Sequence, residues 1–215
     1  MNNSNFEHDL SQEKVVAQFL DLHFYPFLTT DFYRFTEKDA QLQGKDVLFT
    51  LQNLHKIAVD EKAQTTYINQ NLPTFAFEVS FFRNNQIRMG WLFDTSKVTN
   101  FYFLIWIKAS KEKNIRVEDI QELDCLLIDR KDIHIFLATK NITVESIEED
   151  IKYILNNKLT GKIKYKSDEE AYFYFTERLT EKPINIVIKK SILKKLAFRH
   201  FTITKEKVSI VSNVN

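Results

Sequence analysis

The sequence predicts a mixed α/β fold, with a central mixed sheet flanked by helices. Three stretches carry that expectation. Residues 6–22 place Leu10, Val16, Ala17, Phe19 and Leu20 at helical spacing. Residues 74–82 alternate, with Phe75, Phe77 and Val79 set against Thr74, Ala76 and Glu78, the pattern of a half-buried strand. Residues 100–108 are nearly all apolar, which suits a central strand covered on both faces.

The remaining elements follow in order. Asp9 or Ser11 can cap the start of the first helix, and Pro26 follows its end. Residues 24–35 are aromatic and irregular, and read as a connection packed on the core. Residues 46–51 and 56–63 read as two strands joined by a turn at Gln52 and Asn53. Residues 65–71 suit a loop or a short helical piece, and residues 88–94 a further strand after a turn at 83–86. Residues 117–120 suggest a short helix or turn. Residues 123–128 and 133–138 read as strands around a charged turn at 129–132. Residues 143–157 read as a helix capped by Thr143, with Val144, Ile147, Ile151, Ile154 and Leu155 on one face. Strands at 161–165 and 184–188 and a helix at 191–198 complete the expectation. With 3 Gly and 3 Pro and no low-complexity linker, the whole chain 1–215 reads as a single domain.

Composition bounds the function. Hydrophobic residues make up 44% of the 215, enough for a sizeable core. The 30 basic and 29 acidic residues leave a net charge of +1, so bulk charge does not announce a nucleic-acid binder; a local basic groove would suffice. The single Cys125 sits in an apolar run, reads as a buried structural thiol and excludes an intrachain disulfide. The five histidines are scattered without zinc spacing. No secretory pattern opens the chain, so the expected location is cytoplasmic. The longest apolar run, 101–107, is too short for a membrane span. Gly-rich phosphate loops, GxSxG, HExxH and kinase signatures are absent, which disfavours a nucleotide cofactor or a serine hydrolase.

Chemistry concentrates in residues 44–64. Gly44-Lys45-Asp46-Val47 opens one strand, and Val59-Asp60-Glu61-Lys62-Ala63-Gln64 closes the returning one. Residues two apart share a strand face, so Asp60 and Lys62 project together, with Gln64 if the strand continues. Asp46 can converge on the same end. Two neighbouring carboxylates repel as bare anions, and a hard divalent cation such as Mg²⁺ or Mn²⁺ relieves the repulsion. Asp46 and Asp60 would hold the metal with the Glu61 backbone carbonyl. Lys62 would orient or deprotonate a water, or neutralise developing charge. Gln64 would position the nucleophile or a phosphate oxygen.

This layout resembles the PD-(D/E)xK nuclease superfamily. The resemblance rests on Gly44-Lys45-Asp46, on Asp60-Glu61-Lys62, on the hairpin between them and on a preceding helix. It covers roughly residues 7–108, leaving 109–215 as a C-terminal α/β elaboration. No Pro precedes Asp46, a departure at a position that varies in the family. The resemblance implies a restriction-endonuclease-like sheet, metal-dependent hydrolysis of DNA phosphodiesters and a further acidic residue on the helix. Glu13 fits that role best, because Val16, Ala17 and Leu20 follow it along the apolar face, with Glu7 as the fallback. Many enzymes of this type act as dimers, so a homodimer is possible, though no dimer surface is legible.

Rival features stay open. Asp129-Arg130-Lys131 and Asp150-Ile151-Lys152 repeat the acidic-x-Lys spacing; the second falls in an amphipathic helix, where charges usually form a solvated face. Glu78 in an apolar strand needs a partner, and suits an ion pair or an extra ligand. Arg83, Arg88 and Lys97 could contact phosphates or be merely solvated. Trp91, Trp106 and the 19 Phe read as core. Base stacking needs exposed rings interleaved with basic residues, and none stands out. Lys189, Lys190, Lys194 and Lys195, near Arg199 and His200, form the most basic stretch; it could line a DNA path, and reads better as a solvated helix face. Two alternative functions remain: a non-catalytic interaction or nucleic-acid-binding module on the same fold, and a small-molecule enzyme using Glu78 and the Asp129 region.

Overall fold

The structure, a computed structural model, describes residues 5–29, 31–50 and 56–211, excepting the side chains of residues 5–10 and 38. The chain is mixed α/β and divides into two compact units, each assembled from separate stretches. The first comprises Met1–Leu72, Thr99–Asp129 and Ala197–Asn215; the second comprises Pro73–Val98 and Arg130–Leu196. The expected central sheet is therefore two sheets, one per unit.

The first unit contains the helices α1 (Asn5–His23), α2 (Tyr25–Leu28) and α3 (Lys38–Leu42). The first helix is already running at Asp9 and Ser11, so neither caps its start. Its sheet contains β1 (Phe32–Arg34), β2 (Val47–Thr50), β3 (Lys56–Ala63), β6 (Phe101–Ala109), β7 (Ile120–Asp129), β11 (Arg199–Ile203) and β12 (Val208–Val211). The order is β1-β2-β3-β6-β7-β11-β12, with β3 and β6 parallel and the other neighbours antiparallel. As its apolar run implied, β6 is the middle strand, and its residues from Phe101 to Ile107 are all buried. Val16, Phe19, Leu20, Phe24 and Tyr25 form a core with Val47, Phe49, Val59, Phe103, Ile105, Cys125, Leu127 and Phe201. Phe24 stacks on Phe103 at 5.0 Å and meets Phe201 edge-on at 5.0 Å. The aromatic stretch after α1, expected to be irregular, is thus a short helix followed by an edge strand. The turn expected at Gln52 and Asn53 lies outside the described residues.

The second unit holds an antiparallel sheet of order β5-β4-β10-β9-β8. Its strands are β4 (Thr74–Arg83), β5 (Gln86–Met89), β8 (Gly161–Ile163), β9 (Ala171–Phe175) and β10 (Ile184–Lys189). Three helices accompany it: α4 (Arg130–Ala138), α5 (Ile147–Asn156) and α6 (Lys190–Leu196). The strand expected at 133–138 is helical. Ile133 and Leu137, four apart, are buried, while Ile135 is 54% exposed. That is helical periodicity, which the Ile133/Ile135/Leu137 alternation conceals in the sequence. The expected strand at 88–94 stops at Met89, where Gly90 packs on Glu78. A Cβ on Gly90 would lie 2.4 Å from the Glu78 carbonyl oxygen, so no larger residue fits. Among the described residues, no helix is long and apolar enough to cross a membrane.

Candidate metal centre

The β2–β3 register builds the site. Val47 pairs with Val59, and the Asp46 N–H donates to the Val59 carbonyl at 3.0 Å. Asp46 therefore stands opposite Asp60. Val47, Val59 and Glu61 face α1, so Asp46, Asp60 and Lys62 share the other face of the sheet. Lys62 Nζ lies 2.5 Å from Asp60 Oδ1, and the Glu61 N–H donates to Asp46 Oδ2 at 2.8 Å. The register sets the two carboxyls side by side across the β2–β3 pair. Asp60 is buried, with 4% of its side chain exposed, whereas Lys62 keeps 27%. Lys62 is therefore the solvent-facing member of the pair.

Charge at the site is unbalanced. Burial, and then the adjacent Asp60 carboxylate, push the Asp46 carboxyl up to about 6, against the pull of Lys62 and the Glu61 N–H. Burial opposes the Lys62 charge, but Asp60 and Asp46 outweigh it and raise its pKa further, with a smaller contribution from Glu13. Glu13 is exposed on α1 and acts on the site through that field. Gln64 extends the pairing, its N–H donating to the Ile105 carbonyl at 3.0 Å, and is partly buried. The Glu7 side chain lies outside the described residues.

Glu61 turns the opposite way. Its side chain takes two 2.9 Å bonds from the Arg34 guanidinium and a 2.5 Å bond from the Tyr25 hydroxyl, while Arg34 also grips Asp21 of α1. Only main-chain atoms of Glu61 remain for the carboxylate face. Two further groups pin the hairpin: Thr99 Oγ1 donates to the Gly44 carbonyl at 2.6 Å, and Asn100 Oδ1 accepts the Ala58 N–H at 3.0 Å. Sequence reasoning missed Tyr25, Arg34, Thr99 and Asn100. No local pattern marks Arg34, which stands among Phe32, Tyr33 and Phe35.

The donor chemistry fits a hard divalent cation. Two paired carboxylates, one raised in pKa by burial and by the other's charge, are the arrangement such an ion relieves. Among the described residues, no group of three or more His, Cys, Asp or Glu side chains has metal-holding geometry. The Glu61 N–H, already donating to Asp46 Oδ2, keeps the main chain beside the carboxylates, where it or solvent could supply a further oxygen.

The two other acidic-x-Lys motifs sit in different settings. Arg130 donates to the carbonyls of Leu92, Asp94 and Lys97 at 2.9–3.2 Å, bracing a loop. Asp150, expected on a solvated face, is 1% exposed, bonded by Ser146, Tyr165 and Lys166, while Lys152 is exposed. In the basic stretch expected to be solvated, Lys190 is buried, and so is His200, whose Nε2 lies 2.5 Å from Asp124. Comparisons with protein-family models, with curated proteins and with solved structures return no match to the chain.

Proposed function

We propose that the protein is a metal-dependent nuclease that hydrolyses DNA phosphodiester bonds, with Mg²⁺ or Mn²⁺ as cofactor, on a restriction-endonuclease-like sheet. The observation that supports this reading best is the convergence of Asp46, Asp60 and Lys62 on one face of the β2–β3 hairpin. Asp46 and Asp60 would hold the ion, with the Glu61 carbonyl as a further oxygen. When bound, it supplies Lewis-acid stabilisation of phosphate charge and a more acidic water. The chain's own residues do the rest. Lys62 carries a fixed positive charge beside the carboxylates, suited to neutralise charge developing on a phosphate oxygen or to orient a nucleophile. Gln64 stands two positions further along the strand path, where an amide can position either group. Glu13 adds negative field at the Lys62 end.

Incubation with duplex, branched and single-stranded DNA and Mg²⁺ or Mn²⁺ tests the reading. Cleavage by wild type that is lost in Asp60→Ala is the expected result. Equal inactivity of both proteins on all three substrates sinks it. The Lys62–Asp60 contact favours a second reading, a non-catalytic module whose carboxylates are neutralised internally. Titration calorimetry with Mn²⁺ separates the two, since the module takes up no ion.

A further inference from the structure

An aromatic strip with one lysine adjoins the carboxylate pair. In β1, Phe32 stacks on Tyr25 at 5.1 Å and Arg34 reaches Glu61, so both point to the helix-covered face. Alternation sends Tyr33 to the other face, above Leu48, its partner in β2. The Phe35 N–H donates to the Asp46 carbonyl at 2.8 Å, so Phe35 stands beside Asp46 across the strands. The Tyr33 and Phe35 rings meet edge-on at 4.9 Å, and Lys45 Nζ lies 5.8 Å from the Phe35 centroid. Tyr33 is 50% exposed, and Phe35 and Lys45 are partly exposed. A 3.1 Å bond from the Tyr33 hydroxyl to Glu37 restrains the outer ring.

The geometry points to Tyr33, Phe35 and Lys45 as a subsite for an unpaired nucleotide next to the phosphate that an ion at Asp46 and Asp60 would face. Its base stacks on the exposed Tyr33 ring, which Phe35 supports edge-on, and Lys45 meets the adjoining phosphate. This assignment rests on the nuclease reading and narrows its substrate to single-stranded or frayed polynucleotide. Two facts favour an unpaired strand over a continuous duplex. Rings stack on base faces, which a duplex keeps inside its own stack. Duplex affinity depends on neutralising many phosphates, whereas this strip offers one lysine on a chain of net charge +1.

The test measures binding of a fluorescent oligothymidylate, and of a blunt duplex of equal length, to the full chain with Ca²⁺ replacing Mg²⁺. Tyr33→Ala and Phe35→Ala are each expected to weaken oligothymidylate binding roughly tenfold. Duplex binding should change little, and Tyr33→Trp should restore the single-strand preference. Lys45→Gln should weaken oligothymidylate binding and flatten its salt dependence. Unchanged oligothymidylate affinity in Tyr33→Ala with a wild-type melting curve overturns the subsite, as expected if the rings meet a protein. Equal losses on duplex overturn it too. Cleavage assays separate the two claims. Activity that needs Asp60 but is indifferent to Tyr33 removes the subsite and keeps the nuclease. Stacking-dependent binding without cleavage by wild type does the reverse.

Discussion

Asp46 stores an unfavourable charge. Its carboxyl titrates near 6 in the folded chain, above the usual carboxylate range, because burial and Asp60 both oppose its ionisation. A raised acid pKa contributes stability that is present at low pH and lost as pH climbs through the folded value. Without divalent ions, Asp46→Asn should therefore match wild type near pH 4 and exceed it by roughly 2 kcal/mol above pH 7. The amide oxygen still accepts the Glu61 N–H. Urea denaturation in EDTA at the two pH values checks this, and an equal gain at both removes the electrostatic explanation. Asp60 and Lys62 were legible as a pair because strand spacing alone puts them on one face. Their meeting with Asp46 needed the hairpin register, which the sequence implied through the lengths of its two apolar runs. Arg34 was not legible, since its partners Glu61 and Asp21 come from β3 and α1 and nothing local marks them.

At the scale of elements, β3 divides its labour by face. Asp60 and Lys62 serve the carboxylate face, while Glu61 fixes the strand to β1 and α1 through Arg34. Breaking one side of that buried pair strands the other charge. Arg34→Met should cost about 3 kcal/mol, and adding Glu61→Leu should recover part of the loss. Chemical denaturation of both single variants and the double completes the cycle, and simple additivity contradicts the coupling. Long regular elements were readable: α1 by its helical spacing, β4 by alternation, β6 by its unbroken apolar run. The misreadings have physical causes. In α4 the apolar residues alternate by chance, and tertiary burial selected the helical pair Ile133 and Leu137. In β11 the basic Arg199 and His200 hide a strand whose Phe201 and Ile203 are buried and whose His200 finds Asp124. The Tyr33–Phe35 strip was overlooked because its lysine is distant in sequence and arrives only through the β1–β2 pairing.

For the whole molecule, an ion bound only by the native state raises stability by mass action. Mg²⁺ at a hundredfold excess over its dissociation constant should add about 2.7 kcal/mol to wild type and nothing to Asp60→Asn. The readout is a rise in melting temperature confined to wild type, and an identical rise in both locates the ion elsewhere. The discontinuity of the first unit carries a different consequence, for biosynthesis. The strand β7 ends at Asp129, yet its outer neighbour β11 comes from the last stretch, Ala197–Asn215. Until that stretch leaves the ribosome, β7 offers a bare edge bearing Leu123, Leu126 and Leu127, all buried in the finished fold. An unpaired apolar edge templates wrong partners. Premature stops before Arg199 should therefore yield insoluble chains, and nascent protein should depend on holding chaperones until its final strands emerge.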